Sequence, residues 1–164
     1  MGSWKGFSLN GRVILRGNKD AAPDIGLKSH DRNYIAGLNY QPNERFSLSL
    51  DYSRTTLFSN LLIVLPQNLR TASSIFDERV SGIGGSLAIG VYRGSKIELG
   101  YRGILNRGSF PLDYHQPYAS LWIPVGHGMA FKPNWQYFDY KENLFGGLES
   151  YKTHLVTFAL IYSR

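Results

Sequence analysis

The chain has no cysteine and no long apolar run, and each absence excludes a class of protein. Without cysteine it can form neither a disulfide framework nor a thiolate metal site. Its longest apolar run, Leu61 to Pro66, is far shorter than the ~18 to 20 residues of a membrane helix. A helical membrane protein is therefore excluded. A membrane β-barrel is not excluded, because its alternating strands average out as polar.

Two further signals are absent. The start of the chain, MGSWKGFSLNGRV, contains no apolar segment typical of a secretory signal peptide. The formal net charge is +6, yet no run of like charges resembles a nucleic-acid-binding arm. We therefore interpret the basic excess as scattered exposed Lys and Arg, and we expect no nucleic-acid partner.

The chain is rich in Gly, Tyr and Phe, which number 18, 11 and 9. Aromatic residues favour strands, and helical periodicity is scarce. Eight segments instead alternate apolar and polar side chains with the period of a β-strand. The eight segments are Phe7 to Gly17, Arg32 to Gln41, Phe46 to Arg54, Arg79 to Tyr92, Lys96 to Asn106, Tyr118 to Val125, Met129 to Tyr140 and His154 to Arg164.

The connections between these segments alternate strictly between long and short. The short ones, QPNER, RGSK and GHG, are typical of tight hairpin turns. The long ones run from Asn18 to Asp31, Thr55 to Glu78, Arg107 to Pro117 and Lys141 to Glu149. This alternation predicts an all-β, antiparallel, up-and-down meander of eight strands in a single domain over residues 1–164. It is the pattern of a transmembrane β-barrel, or of the C-terminal portion of one, with short periplasmic turns and long extracellular loops.

The closing stretch, YKTHLVTFALIYSR, places Phe158, Leu160 and Tyr162 on one face close to its end. It resembles the C-terminal strand of Gram-negative outer-membrane β-barrel proteins. That resemblance implies that these three residues form a recognition signal for the outer-membrane assembly machinery. The family usually ends on an aromatic residue, whereas this chain ends on Ser163 and Arg164.

The resemblance extends to PYASLWIPV, which is similar to the C-terminal part of larger porin-like barrels. Some of those barrels are similar to sheaths that surround multihaem cytochromes. Because proteins of this kind are secreted, we expect the sequence to be trimmed or to be the C-terminal piece of a larger barrel.

Polar residues that alternate with the apolar ones are the best functional candidates. In a small barrel they would form a satisfied network of salt bridges and hydrogen bonds. In a larger barrel they would line a pore and set its ion preference. The predicted lumen-facing residues are Asn10, Arg12, Arg16, Asn39, Asp51, Glu98, Arg102, Lys132, Asn134 and Gln136.

Patterns for catalysis and metal binding are weak. The chain has four His but neither a GxSxG elbow nor an HExxH motif, and GIGG at Gly82 to Gly85 is not followed by Lys and Ser or Thr. We read that GIGG as a bend or bulge in a strand. His30 with Asp31 is interpreted as a solvated loop pair, and His127 as a turn residue. We expect no enzymatic activity, no cofactor and no metal.

The sequence thus predicts a membrane-spanning scaffold or pore in the outer membrane of a Gram-negative bacterium. Its expected partners are the lipid bilayer, the assembly machinery and a periplasmic or lumenal protein. One alternative is a soluble lipocalin-like barrel, which would have an apolar cavity and a polar exterior. Another is a barrel-embedded lipid hydrolase, which needs a Ser and a His together on the lipid-facing side.

Overall fold

The computed structural model describes residues 2–4, 6–19, 28–64, 71–144 and 148–162. These residues form one antiparallel sheet whose strands pair in chain order, from β1 to β9. The described part of the chain contains no helix that could cross a membrane. The strands are β1 Gly2–Trp4, β2 Phe7–Lys19, β3 Lys28–Asn43, β4 Phe46–Val64, β5 Thr71–Gly90, β6 Lys96–Asn106, β7 Leu112–Gly126, β8 Met129–Glu142 and β9 Tyr151–Tyr162.

The predicted antiparallel meander of eight strands is confirmed as β2 to β9, and the three-residue β1 is an addition. The sheet is not closed, because within the described residues β9 pairs only with β8. The predicted ends of the chain at Ser163 and Arg164 lie outside the described residues, as does most of the connection between Asn18 and Asp31.

Several strands are longer than the sequence predicts. β4 and β5 have 19 and 20 residues and pair from Phe46↔Ile89 to Val64↔Thr71, so most of the predicted loop from Thr55 to Glu78 is a hairpin. β7 likewise begins at Leu112, inside another predicted loop. The extra segments carry polar side chains on both faces. Their backbone pairs well, but no alternation of hydrophobicity reveals it.

Two of the three short turns, those after β5 and β7, have the backbone of the commonest two-residue hairpins. Arg93 and Gly94 have φ of 51° and 80°, and His127 and Gly128 have φ of 53° and 74°. Positive φ at both central residues is the type I′ turn, whose twist matches that of the flanking strands. We call the end of the sheet with these turns the turn end, and the opposite end the loop end.

The strand register divides the side chains into two faces. Directly paired residues lie on the same face, and the faces alternate along each strand. One face, here the apolar face, carries the large apolar side chains of all eight long strands, and the other is the polar face. One register row across the apolar face consists of Phe7, Tyr40, Leu48, Leu87, Leu99, Ala119, Trp135 and Val156.

The sheet has almost no core of its own. Among the described residues, Ala130 is the single buried hydrophobic side chain, at 4% exposure. The chain exposes 11965 Å² of surface. A folded soluble monomer of this mass would expose about 8200 Å². The described residues form no second layer over the apolar face, and its exposed side chains contribute to this difference.

Candidate functional site

The register places all ten predicted lumen-facing residues on the polar face. Five of them come from β2 to β4 and five from β6 and β8. Whether this face surrounds a lumen stays a prediction, since the sheet is open. Two rows contain five of them. One pairs Asn10 with Gly37, Gly37 with Asp51, Asp51 with Gly84, and Gly84 with Arg102, and the other pairs Glu98 with Ser120 and Ser120 with Asn134.

The five residues from β6 and β8 line one open hollow of about 390 Å³ on the polar face. A chain of hydrogen bonds crosses it. Tyr114 Oη donates to Gln116 Oε1 at 2.9 Å, and Gln116 Nε2 donates to Gln136 Oε1 at 2.9 Å. Asn134 Nδ2 donates more weakly to Thr157 Oγ1, at 3.4 Å. The same hollow contains cations and an anion, namely Arg102, Lys132 and Glu98.

Glycines make room for large polar side chains on this face. A Cβ on Gly100 would collide with the ring of Tyr118, which lies across it. From there Tyr118 Oη donates to Glu98 Oε1 at 3.2 Å. The Asp51 carboxylate lies over Gly84 in the same way, on the row that leads to Arg102. These close approaches connect neighbouring strands through side chains that lie flat on the sheet.

The remaining predicted lumen-facing residues are spread over β2 and β3. Asn10 lies against Gly37, with its Oδ1 2.7 Å from the position of a Cβ there. Arg12, Arg16 and Asn39 are exposed on the same face. The structure therefore assembles the β6 and β8 members into one cluster and leaves the β2 and β3 members outside it.

The apolar face is exposed along its full width. Leu99, near the middle of the sheet, is 51% exposed, and Phe158 and Leu160 at the β9 edge are 68% and 70% exposed. These two residues and Tyr162 are the predicted assembly signal, and all three lie on this face. Phe158 stacks on Phe131 with ring centroids 6.0 Å apart. Their role in assembly stays a prediction.

Aromatic and His side chains lie at the loop end of the apolar face on β6 to β9. Tyr101 Oη is 2.5 Å from His115 Nδ1. Trp135 Nε1 donates to His154 Nδ1 at 3.3 Å, and the Tyr137 ring lies 4.8 Å from that of His154. Each of these His residues therefore bonds to an aromatic residue rather than to a Ser.

The other predicted features have mixed outcomes. His30 and Asp31 are wrong as a loop pair: they lie in β3 and point to opposite faces, because the pairing with β2 and β4 continues past them. His127 does occupy a tight turn. The GIGG stretch lies in β5 without a register shift, so no bulge forms there. Among the described residues, no group of three His, Cys, Asp or Glu could hold a metal ion.

Sequence reasoning missed two features of the loop end. Glu78 is 6% exposed, and its Oε1 accepts a hydrogen bond from the Phe110 backbone N–H at 3.0 Å. Basic side chains also lie on the apolar face of β2 to β5, between its apolar side chains and the loop end. The sequence did carry a signal for these basic residues, because the alternation with period two continues past the last apolar residue of each strand. It places Arg32 on the loop-end side of Tyr34, and Arg54 on the loop-end side of Tyr52.

The chain matches no protein-family model, no curated protein and no solved structure. The two faces of the sheet are therefore the basis for inferring its function.

Proposed function

We propose that this chain is an outer-membrane β-barrel, or part of one, that spans the bilayer as a scaffold or pore. In this proposal the apolar face contacts lipid and the polar face surrounds the lumen. The observation that carries it is the continuous, exposed apolar face across eight strands, over which the described residues form no second layer. Soluble monomers rarely expose an apolar patch beyond a few hundred Å².

The apolar side chains of the apolar face form a diagonal band across β2 to β9, here the apolar band, and its course supports lipid as its partner. Phe7 and Val156 lie in the same register row, at opposite ends of the band. On β2, Phe7 is the band residue nearest the turn end, whereas on β9, Val156 is the band residue nearest the loop end. Across the seven pairings between these strands the band shifts by about one residue per strand. With about 3.3 Å per residue and about 4.8 Å between strands, a level band requires a strand tilt of about 35°. Transmembrane barrels tilt their strands by about 35–45°.

The height of the band supports the same partner. On β2 it extends from Phe7 to Leu15, about 26 Å along the strand. At a tilt of about 35° this corresponds to about 21 Å along the membrane normal, and the terminal side chains extend it further. The lipid-facing band of outer-membrane barrels is about 25 Å tall.

The polar face has the crowding of an inner surface. Glu98, Tyr118 and Lys132 are half-buried, although they are polar, whereas apolar Ile97 and Leu99 on the opposite face are 40% and 51% exposed. Side chains crowd one another on a concave face. A lipocalin-like barrel would need the reverse, with the apolar side chains inside.

A lipid-spanning sheet must have no free edge, because an unpaired backbone group in hydrocarbon costs several kcal/mol. The proposal therefore requires that β9 and the β1–β2 edge pair with each other or with additional strands. The first case gives a narrow barrel whose interior is filled by side chains, among them the hydrogen-bonded pairs Glu98–Tyr118 and Gln116–Gln136. The second gives a wider pore lined by the same residues.

The proposal is tested by removing detergent from the purified, folded chain while its β-signal is followed by circular dichroism. We expect the chain to aggregate or lose structure without detergent, and to keep its structure when it is transferred to lipid vesicles. A soluble, folded monomer without detergent would overturn the proposal and favour an apolar cavity.

A matched pair of variants makes the test specific to the face. Leu121→Lys places a charge in the apolar band, and the adjacent Ser120→Lys places it in the polar hollow. We expect Leu121→Lys to reduce stability in vesicles by about 2–4 kcal/mol, the cost of Lys at the lipid-facing midplane. Ser120→Lys should cost much less. Equal effects would contradict the assignment of the faces.

A further inference from the structure

On β2 to β5, a group of basic side chains lies on the apolar face between the apolar band and the loop end. On β3 and β4 an Arg lies two residues beyond the last Tyr of the apolar band, in the direction of the loop end. These pairs are Arg32 with Tyr34 on β3, and Arg54 with Tyr52 on β4. We call this group the cationic belt. It consists of Lys19, Lys28, Arg32, Arg54 and Arg79.

The register brings the belt residues together from four strands. Lys19 and Lys28 are directly paired across β2 and β3. Thr56 pairs with Arg32 on one side and with Arg79 on the other, and Arg54 is two residues from Thr56 on the same face. The three Arg side chains are all exposed and can converge above Thr56. Like charges in direct opposition are unfavourable unless an anion lies between them.

Among the described residues, acidic side chains neutralise only part of this belt. Arg79 bonds to Asp77 at 2.8 Å, but neither Arg32 nor Arg54 has a salt bridge or hydrogen-bonded partner among the described residues. At the loop end of β6 to β9, by contrast, Lys152 Nζ lies 3.5 Å from Asp139 Oδ2.

Arg107, in the connection after β6, is likewise paired, with Asp113. Arg107 Nη1 donates a hydrogen bond to Asp113 Oδ1. This bond and the negative charge of the carboxylate raise the pKa of Arg107 above its ordinary value. Lys152 and Arg107 thus each have a carboxylate partner at the loop end of β6 to β9, whereas Arg32 and Arg54 have none among the described residues.

We propose that the cationic belt binds the phosphate groups of anionic lipids in the leaflet at the loop end. This inference rests on the proposed function, which directs the apolar face toward lipid. The belt starts directly beyond the apolar band, at the level where lipid headgroups begin. The Arg guanidinium matches the geometry of phosphate oxygens and makes bidentate bonds to them. Lipid phosphate therefore supplies an anion to Arg32 and Arg54, which have no acidic partner among the described residues.

The test measures lipid selectivity of the full chain in phosphatidylcholine vesicles with traces of spin-labelled lipid. The readout is the ratio of motionally restricted phosphatidic acid to restricted phosphatidylcholine. A basic residue near an anionic surface contributes about fivefold to such an equilibrium. We expect a ratio of about five or more for the unaltered chain. Arg32→Gln with Arg54→Gln should return it close to one.

The control is Arg45→Gln with Arg93→Gln, which removes the same charge at the turn end and so in the other leaflet. We expect this pair to keep the preference. Circular dichroism checks that both pairs of variants fold. High salt should lower the preference of the unaltered chain, because salt screens exposed charges.

The outcomes separate the two proposals. Absence of restricted lipid of any kind would mean that the chain does not insert, and both proposals would fail. Insertion with a ratio close to one, or an equal loss in both variant pairs, would overturn the cationic belt alone. If millimolar inorganic phosphate abolished the preference, the ligand would be a free phosphate ion and the assignment to lipid would be wrong.

Discussion

At the scale of single residues, the polar face is built from small residues beneath large ones. Gly100 and Gly84 leave space for Tyr118 and Asp51, whose side chains cross from the neighbouring strand. Gly in a strand weakens it by itself, since it adds no side chain to pack. Here that cost is offset by the neighbouring side chain that fills the space.

We therefore predict that Gly100→Ala destabilises the chain by about 1–3 kcal/mol, the usual cost of overpacking. The added methyl would displace the Tyr118 ring and break its bond to Glu98. The free energy of unfolding, from urea titration of the β-signal in detergent, measures the effect. Gly11→Ala is the control, since its nearest neighbour would be the Ile35 carbonyl oxygen at 3.8 Å, an ordinary contact. Similar losses in both variants would refute this account.

At the scale of elements, the β7–β8 hairpin presents a Trp on each face. Trp135 on β8 is 38% exposed on the apolar face. Trp122 on β7 lies on the polar face beside Lys96, Glu98 and Lys132. The fluorescence of Trp135 therefore reports on the apolar face, and that of Trp122 on the polar face.

We predict that brominated phosphatidylcholine quenches Trp135 fluorescence far more than that of Trp122. Bromine on the acyl chain quenches only indoles in contact with lipid. The measurement uses two single-Trp chains, one with Trp4→Phe and Trp122→Phe, the other with Trp4→Phe and Trp135→Phe. Aqueous iodide should show the reverse order. Stronger lipid quenching of Trp122 would mean that the faces are inverted.

At the scale of the whole molecule, the diagonal apolar band determines how the sheet can lie in a bilayer. The band is level only when the strands tilt, because it shifts across the register rows from the Phe7 end of β2 to the Tyr162 end of β9. A sheet packed on a second protein layer has no comparable requirement for one planar band.

We predict a mean strand tilt of about 35° from the membrane normal, from the shift of the band and the standard strand spacings. Polarised infrared spectroscopy of the amide bands in aligned bilayers measures this angle. Strands lying in the membrane plane would contradict the spanning orientation. Strands parallel to the normal would contradict the shift of the band.

The sequence alone was sufficient for the eight alternating segments and the faces of their side chains. Alternation has a period of two and depends only on neighbours along the chain, so Phe46 to Tyr52 can be assigned to a face without any partner. The turns are equally local, because Arg93–Gly94 and His127–Gly128 occupy backbone conformations that glycine favours. The polar positions of the ten predicted residues follow from the same alternation.

Register was decided only by the tertiary structure. Which residue lies opposite another depends on hydrogen bonds between separate strands, and a shift of one residue would exchange the faces. The contact of Gly100 with Tyr118, the diagonal apolar band and the placement of Arg32, Arg54 and Arg79 around Thr56 all arise from it. The extension of β4 and β5 past the apolar band has the same origin, because backbone pairing continues where side-chain alternation ends.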